Sequence, residues 1–180
     1  MTLLDQLTFS CKRLRHYLLA WNTRGEGIHS PYLFDLVRHA LHDEGSFYCW
    51  ERLRPNAVEK VVFRLLNYLH QQSGQPLDIT IMQEDRYGRP KYRLAEIARA
   101  VDQKNIVNVE KGSHVRESLY VELDEKSVMV VTDIHIDHEA EEYWAGVMRR
   151  DDVTTTMDFF DVGFIFYDKH YLKKNYKMKL

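Results

Sequence analysis

What this 180-residue chain has little of narrows its class first. It has two cysteines, Cys11 and Cys49. They are too few for a disulfide scaffold and lack metal-ligand spacing, so a cytoplasmic, reducing setting is expected. Eight glycines and four prolines exclude collagen and Gly/Pro-rich low-complexity disorder. Charge of one sign is lacking too. The 25 Lys and Arg against 27 Asp and Glu leave a formal charge of −2, which gives no whole-chain attraction to nucleic acid. No run of about 18 apolar residues occurs, so no membrane span is expected. Asp5, Lys12, Arg13 and Arg15 break up the N-terminus before it reaches signal-peptide form.

Apolar material is plentiful. Hydrophobic residues make up 44% and aromatics 12%, enough for the core of one domain over 1–180. Residues 1–75 read as helical. Leu7, Cys11, Leu14 and Leu18 recur at helical spacing in the first segment, a face expected to pack on the core. Ser30-Pro31 is a helix start, because Ser caps and Pro tolerates the first helical position. Leu33, Val37 and Leu41 follow as its apolar stripe. Pro55-Asn56 opens a third helix carrying Val58, Val61, Val62, Leu65, Leu66 and Leu69, which Ser73-Gly74-Gln75-Pro76 ends.

Residues 76–180 change character. Leu77–Met82 and Asn105–Val109 read as strands around a helix over Pro90–Val101. Val128–Val131 has the unbroken apolar run of a strand buried on both faces. A helix from about Asp137 to Arg150 follows, with Asp137 as its cap. Val153–Phe159 and Phe164–Tyr167 read as a terminal hairpin. The segment 113–123 fits either a strand or a short helix. Strand–helix–strand alternation predicts an α/β fold, with a mostly parallel sheet and an antiparallel C-terminal hairpin.

Three stretches in order resemble one family. Gly25–Val37 (GEGIHSPYLFDLV) is similar to the His-Ser-Pro-Phe segment of a group of bacterial class I S-adenosylmethionine-dependent methyltransferases. Glu59–Leu69 (EKVVFRLLNYL) resembles the helix before their first core strand. Thr132-Asp133-Ile134-His135, with the helix and Gly-aliphatic-aromatic hairpin after it, resembles their Asp-Asp-Ile-His ending. The resemblance implies a reduced Rossmann-like methyltransferase sheet preceded by N-terminal helices. It implies S-adenosylmethionine as cofactor and a small hydroxyl or amine acceptor. Asp133 and His135 would be catalytic, Glu110 would hold the ribose, and His29 would face the substrate.

The chain departs from that family in its middle. A cofactor loop needs glycines so that backbone N–H groups can approach closely. Gln83–Pro90 offers only Gly88, beside the carboxylates of Glu84 and Asp85. Glu110–His114 also fits the stretch after the family's fourth strand, and on either alignment core strands are missing. The expectation is therefore a methyltransferase-like protein with impaired catalysis. Asp133, His135, Asp137 and His138 form a cluster that could bind a divalent metal or supply a base, or could be a polar loop with Asp137 as cap. Thr132 replaces the first Asp of the family's pair, and no metal ligand set is assigned.

Two other classes remain open at this point. One is a non-catalytic scaffold or subunit that dimerises through the aromatic hairpin, with itself or another protein. The other is a nucleic-acid or anion-binding module. It would use Arg86–Arg93 together with Lys169, Lys173, Lys174, Lys177 and Lys179, opposite an acidic stretch from Glu122 to Glu142.

Overall fold

The computed structural model describes residues 3–20, 27–28, 30–42, 45–83, 90–111, 117–123, 126–169 and 171–179. Its helices are α1 (Leu3–Leu19), α2 (Pro31–Asp35) continued by a π-helical stretch (Leu36–Leu41), α3 (Cys49–Leu53), α4 (Ala57–Ser73), α5 (Leu94–Val101) and α6 (His138–Arg149). Its strands are β1 (Asp78–Gln83), β2 (Ile106–Lys111), β3 (Ser118–Glu122), β4 (Val128–Thr132), β5 (Thr155–Asp158), β6 (Val162–Phe166) and β7 (Lys174–Lys177). None of the described helices is long and apolar enough to cross a membrane.

Local chemistry accounts for the elements. Ser30 Oγ accepts from Leu33 N at 3.4 Å at the start of α2, whose first residue is Pro31. Asn56 and Glu59 form a reciprocal capping box on α4, and Gly74 closes that helix at φ 65°, a left-handed conformation that favours glycine. The α4 stripe from Val58 to Leu69 is buried in the main core with Leu33, Val37 and Leu41. Asn105 ties three elements together: Oδ1 accepts from Leu77 N at 2.8 Å, and Nδ2 donates to Ala98 O at 2.8 Å.

The sheet corrects the predicted topology. The strands run in the order β2-β1-β3-β4-β6-β5-β7. β1–β2 and β5–β7 pair in parallel, whereas β1–β3, β3–β4, β4–β6 and β5–β6 are antiparallel. The sheet is thus mostly antiparallel rather than the mostly parallel, Rossmann-like sheet expected. Two insertions cause this. β3, from the ambiguous segment, enters between β1 and β4 in the reverse direction. β6 then turns back into the place beside β4, so β4 and β5 share a direction but never pair.

Three further expectations change. α1 docks through Phe9, Arg13, His16 and Ala20, while Leu7, Cys11, Leu14 and Leu18 face solvent. The aromatic hairpin β5–β6 is buried along its whole length, so it is core and not a free dimer surface. Inside it, a Cβ on Gly163 would collide with the indole of Trp144, which makes this glycine a packing requirement. The lysine-rich tail forms β7, an edge strand, where lysines discourage further strand addition.

Candidate functional site

The candidate site lies where β1, β4 and β5 end. Asp133, directly after β4, has φ 56°, a left-handed conformation rare outside glycine, asparagine and aspartate. Its N–H donates to Asp161 O at 2.7 Å, which joins it to the β5–β6 turn. Asp133 Oδ1 accepts from Lys91 Nζ at 2.5 Å and from Tyr92 Oη at 3.1 Å. Glu117, just before β3, is buried and accepts from the backbone N–H groups of Lys91 and Tyr92, the latter at 2.9 Å. Burial raises the Glu117 carboxyl above its usual range, and these two N–H groups offset only part of that. The Tyr92 phenol is also pushed up, first by burial and then by the Asp133 carboxylate it bonds.

A second cluster adjoins the first through the Asp158–Asp161 turn. His135 Nε2 lies 2.9 Å from Asp158 Oδ2, and its Nδ1 faces Glu141 Oε1 at 3.7 Å. His16 reaches in from α1, with Nδ1 3.6 Å from Asp158 Oδ1 and Nε2 3.0 Å from the Met178 carbonyl oxygen. Asp158 Oδ1 also accepts from Phe160 N at 2.8 Å. Burial alone would raise the Asp158 carboxyl. The hydrogen bond from His135 and the charges of both histidines nevertheless hold it below its ordinary range. Phe160 lies against both imidazoles, with ring centroids 5.1 Å from His135 and 5.5 Å from His16. Arg13 pairs with Asp161 and lies over Phe160, and Lys12 pairs with Glu141 at 2.8 Å. The donor atoms of His16, His135 and Asp158 all lie within 4.8 Å of one another, so these three residues could hold a metal ion.

The expected site residues separate on this frame. Asp133 and His135 do stand together at one end of the sheet, but Asp133 is engaged by Lys91 and Tyr92, and His135 by Asp158. Glu110 is exposed on β2, an edge strand, in register with Met82. Gly88 and His29 lie outside the described residues, as do Arg86 and Arg89. Part of the predicted basic patch is spent on structure: Arg93 pairs with buried Glu59 at 2.8 Å and Lys91 with Asp133, while Lys169, Lys177 and Lys179 stay exposed. In the tail, Lys173 donates to the Arg149 and Arg150 carbonyls, and Lys174 to the Gly27 carbonyl. Asp137 caps α6 by accepting from Ala140 N at 2.9 Å, and His138 is exposed.

The described residues fit S-adenosylmethionine poorly. In a doubly wound sheet the second and fourth strands both flank the first, and the cofactor lies across their ends. Here β3 stands between β1 and β4, so Glu110 and Asp133 are on strands three places apart, about 14 Å at normal strand spacing. Glu117 immediately precedes β3 at that end of the sheet and accepts from the Lys91 and Tyr92 backbone N–H groups.

His16, Asp158, Glu117 and Asp161 had no role in the sequence reading. One signal for His16 was present, since Phe9, Arg13, His16 and Ala20 repeat at the same four-three-four spacing as the leucine stripe. A depression of about 630 Å³ around Trp50, Arg54 and Lys60 shares no residue with this site. No family model matches the chain, and neither the curated proteins nor the solved structures contain a match to it.

Proposed function

We propose that this chain is a non-catalytic, self-assembling subunit, and that a second copy docks on the outward stripe of α1. One observation carries this reading: α1 attaches through Phe9, Arg13, His16 and Ala20 and leaves its leucine stripe open. Leu7, Leu14 and Leu18 are 58%, 62% and 76% exposed. Their four-three-four spacing, completed by Cys11, is that of a helix–helix seam. A membrane surface is a poorer occupant. Lys12 and Arg13 are engaged by Glu141 and Asp161, which leaves Arg15 as the exposed cation beside the stripe, whereas interfacial helices carry a Lys/Arg-rich polar face. The engagement of Asp133, Lys91, Tyr92 and Glu117 with one another supports a role other than methyl transfer.

Sedimentation equilibrium over a range of concentrations tests the assembly. The expected result is a dimer that the double variant Leu14→Glu/Leu18→Glu converts to monomer with an unchanged circular dichroism spectrum. A wild-type monomer at every concentration would remove the reading. Calorimetric titration with S-adenosylmethionine tests the rival, with no heat expected up to millimolar cofactor. Saturable binding would restore methyl transfer as the function to pursue.

A further inference from the structure

We propose that His16, His135 and Asp158 form a binding site for one divalent transition-metal ion, zinc by ligand type, which fastens α1 to the sheet. The inference stands independently of the assembly reading, since it uses the opposite face of α1.

The donor set is right for such an ion. Two imidazoles and one carboxylate suit zinc and its first-row neighbours, whereas magnesium and calcium prefer all-oxygen shells. A tetrahedral zinc with bonds of about 2.1 Å needs its donors about 3.4 Å apart. His135 Nε2 lies 2.9 Å from Asp158 Oδ2 and His16 Nδ1 lies 3.6 Å from Asp158 Oδ1, and ligand atoms of all three residues lie within 4.8 Å of one another. Small rotations of side chains already in place would seat the ion.

The outer partners point the same way. A metal-bound imidazole donates its other ring N–H to a carbonyl or carboxylate, which fixes the tautomer. For His16 that partner is the Met178 carbonyl oxygen at 3.0 Å, so Nε2 keeps its proton and Nδ1, which faces Asp158, is the nitrogen that gives up its proton when an ion binds. For His135 the partner is Glu141, 3.7 Å from Nδ1. Once Nε2 gives its lone pair to the ion, the proton moves to Nδ1 and meets that carboxylate. The Phe160 N–H holds Asp158, and the Phe160 ring forms an apolar wall beside both imidazoles. His135 is partly exposed, so a water can complete the coordination as fourth ligand.

The three ligands come from distant parts of the chain: α1, the turn after β4, and the end of β5. An ion bound there would cross-link α1 to the body, as metal sites that form only on folding do.

The test is titration of the metal-stripped full-length chain with Zn²⁺ against a chromophoric chelator, and with Co²⁺ by visible absorption. One equivalent should bind, with the absorption of a tetrahedral cobalt centre. Amide exchange along α1 should slow when zinc is added. His135→Gln and Asp158→Asn should each weaken binding by about 100-fold or more, and Glu141→Gln by about tenfold. Both ligand substitutions leave α1 itself unaltered, so they hold even if His16→Ala undocks the helix. Cys11→Ser, on the outward face of α1, should leave metal binding unchanged. The proposal is overturned if no saturable binding occurs, or if binding survives unchanged in both His135→Gln and Asp158→Asn.

Discussion

α1 and α4 are each 17 residues long and amphipathic, yet they attach to the molecule by opposite faces. α4 buries its apolar stripe against the sheet and keeps its polar residues outside. α1 buries His16 and Ala20, partly covers Phe9 against Phe160, engages Asp161 through Arg13, and turns its leucines to solvent. The difference lies in what each meets. The α4 stripe shares one buried apolar cluster with Ile79, Ile81, Leu94 and Leu119, where only hydrocarbon packs without penalty. Under α1 are the carboxylates of Asp158, Asp161 and Glu141, which need cations and N–H donors, set around the Phe160 ring that meets Phe9 and His16. Periodicity therefore identifies a helix and its two faces, and the surface it meets decides which face docks.

The sharpest way to break the comparison is a matched pair of truncations. Leu65→Ala on α4 removes a side chain with no exposure and should cost about 3–4 kcal/mol, the transfer term plus a cavity. Leu14→Ala on α1 should change the stability of the monomer by less than about 0.5 kcal/mol. Urea unfolding at dilute protein measures both. Equal losses would mean that α1 docks by its leucines after all.

Glu59 sharpens the comparison with the one charge that α4 does bury. Burial alone would raise its carboxyl, but hydrogen bonds from Arg93 and from the Asn56 cap together hold it below the ordinary glutamate range. A carboxyl depressed on folding contributes its full stability above the unfolded value and loses it as pH falls through the folded value. Glu59→Gln should therefore cost about 3 kcal/mol at neutral pH. The gap to wild type should close as pH drops below the ordinary glutamate range. A gap that does not change with pH would show that packing, and not the ion pair, sets the cost.

The same contrast explains what the sequence made legible. Helices α2, α4 and α6 follow from caps and spacing within a few residues: Ser30, Asn56 and Asp137 each accept from the backbone N–H three positions on. The neighbours of each strand do not follow from such local terms. β3 has only the short alternating run Ser118–Glu122, and nothing local says that it pairs with both Asp78–Met82 and Val128–Val131. That insertion, with the return of β6 beside β4, gives antiparallel neighbours where local pattern predicts parallel ones. The site divides in the same way. Asp133 and His135 were visible as a polar cluster after an apolar strand. Their partners Lys91, His16 and Asp158 come from other elements, and a charge pair between distant elements leaves no period to read.

The smallest expected effect concerns the outer edge of the α1 attachment. Lys12 and Glu141 pair at 2.8 Å, but Lys12 is exposed and Glu141 partly so, and pairs open to water contribute about 0–1 kcal/mol because water screens them. Lys12→Ala should therefore leave global unfolding almost unchanged. Its effect should be local and salt-dependent. Amide exchange along α1 should quicken at low ionic strength, and the difference from wild type should fade as salt screens the pair. Exchange along α4 should be the same in both proteins, because its attachment is hydrocarbon. If α4 quickened as much as α1, the two helices would open as one unit, and the division between a polar and an apolar attachment would not survive.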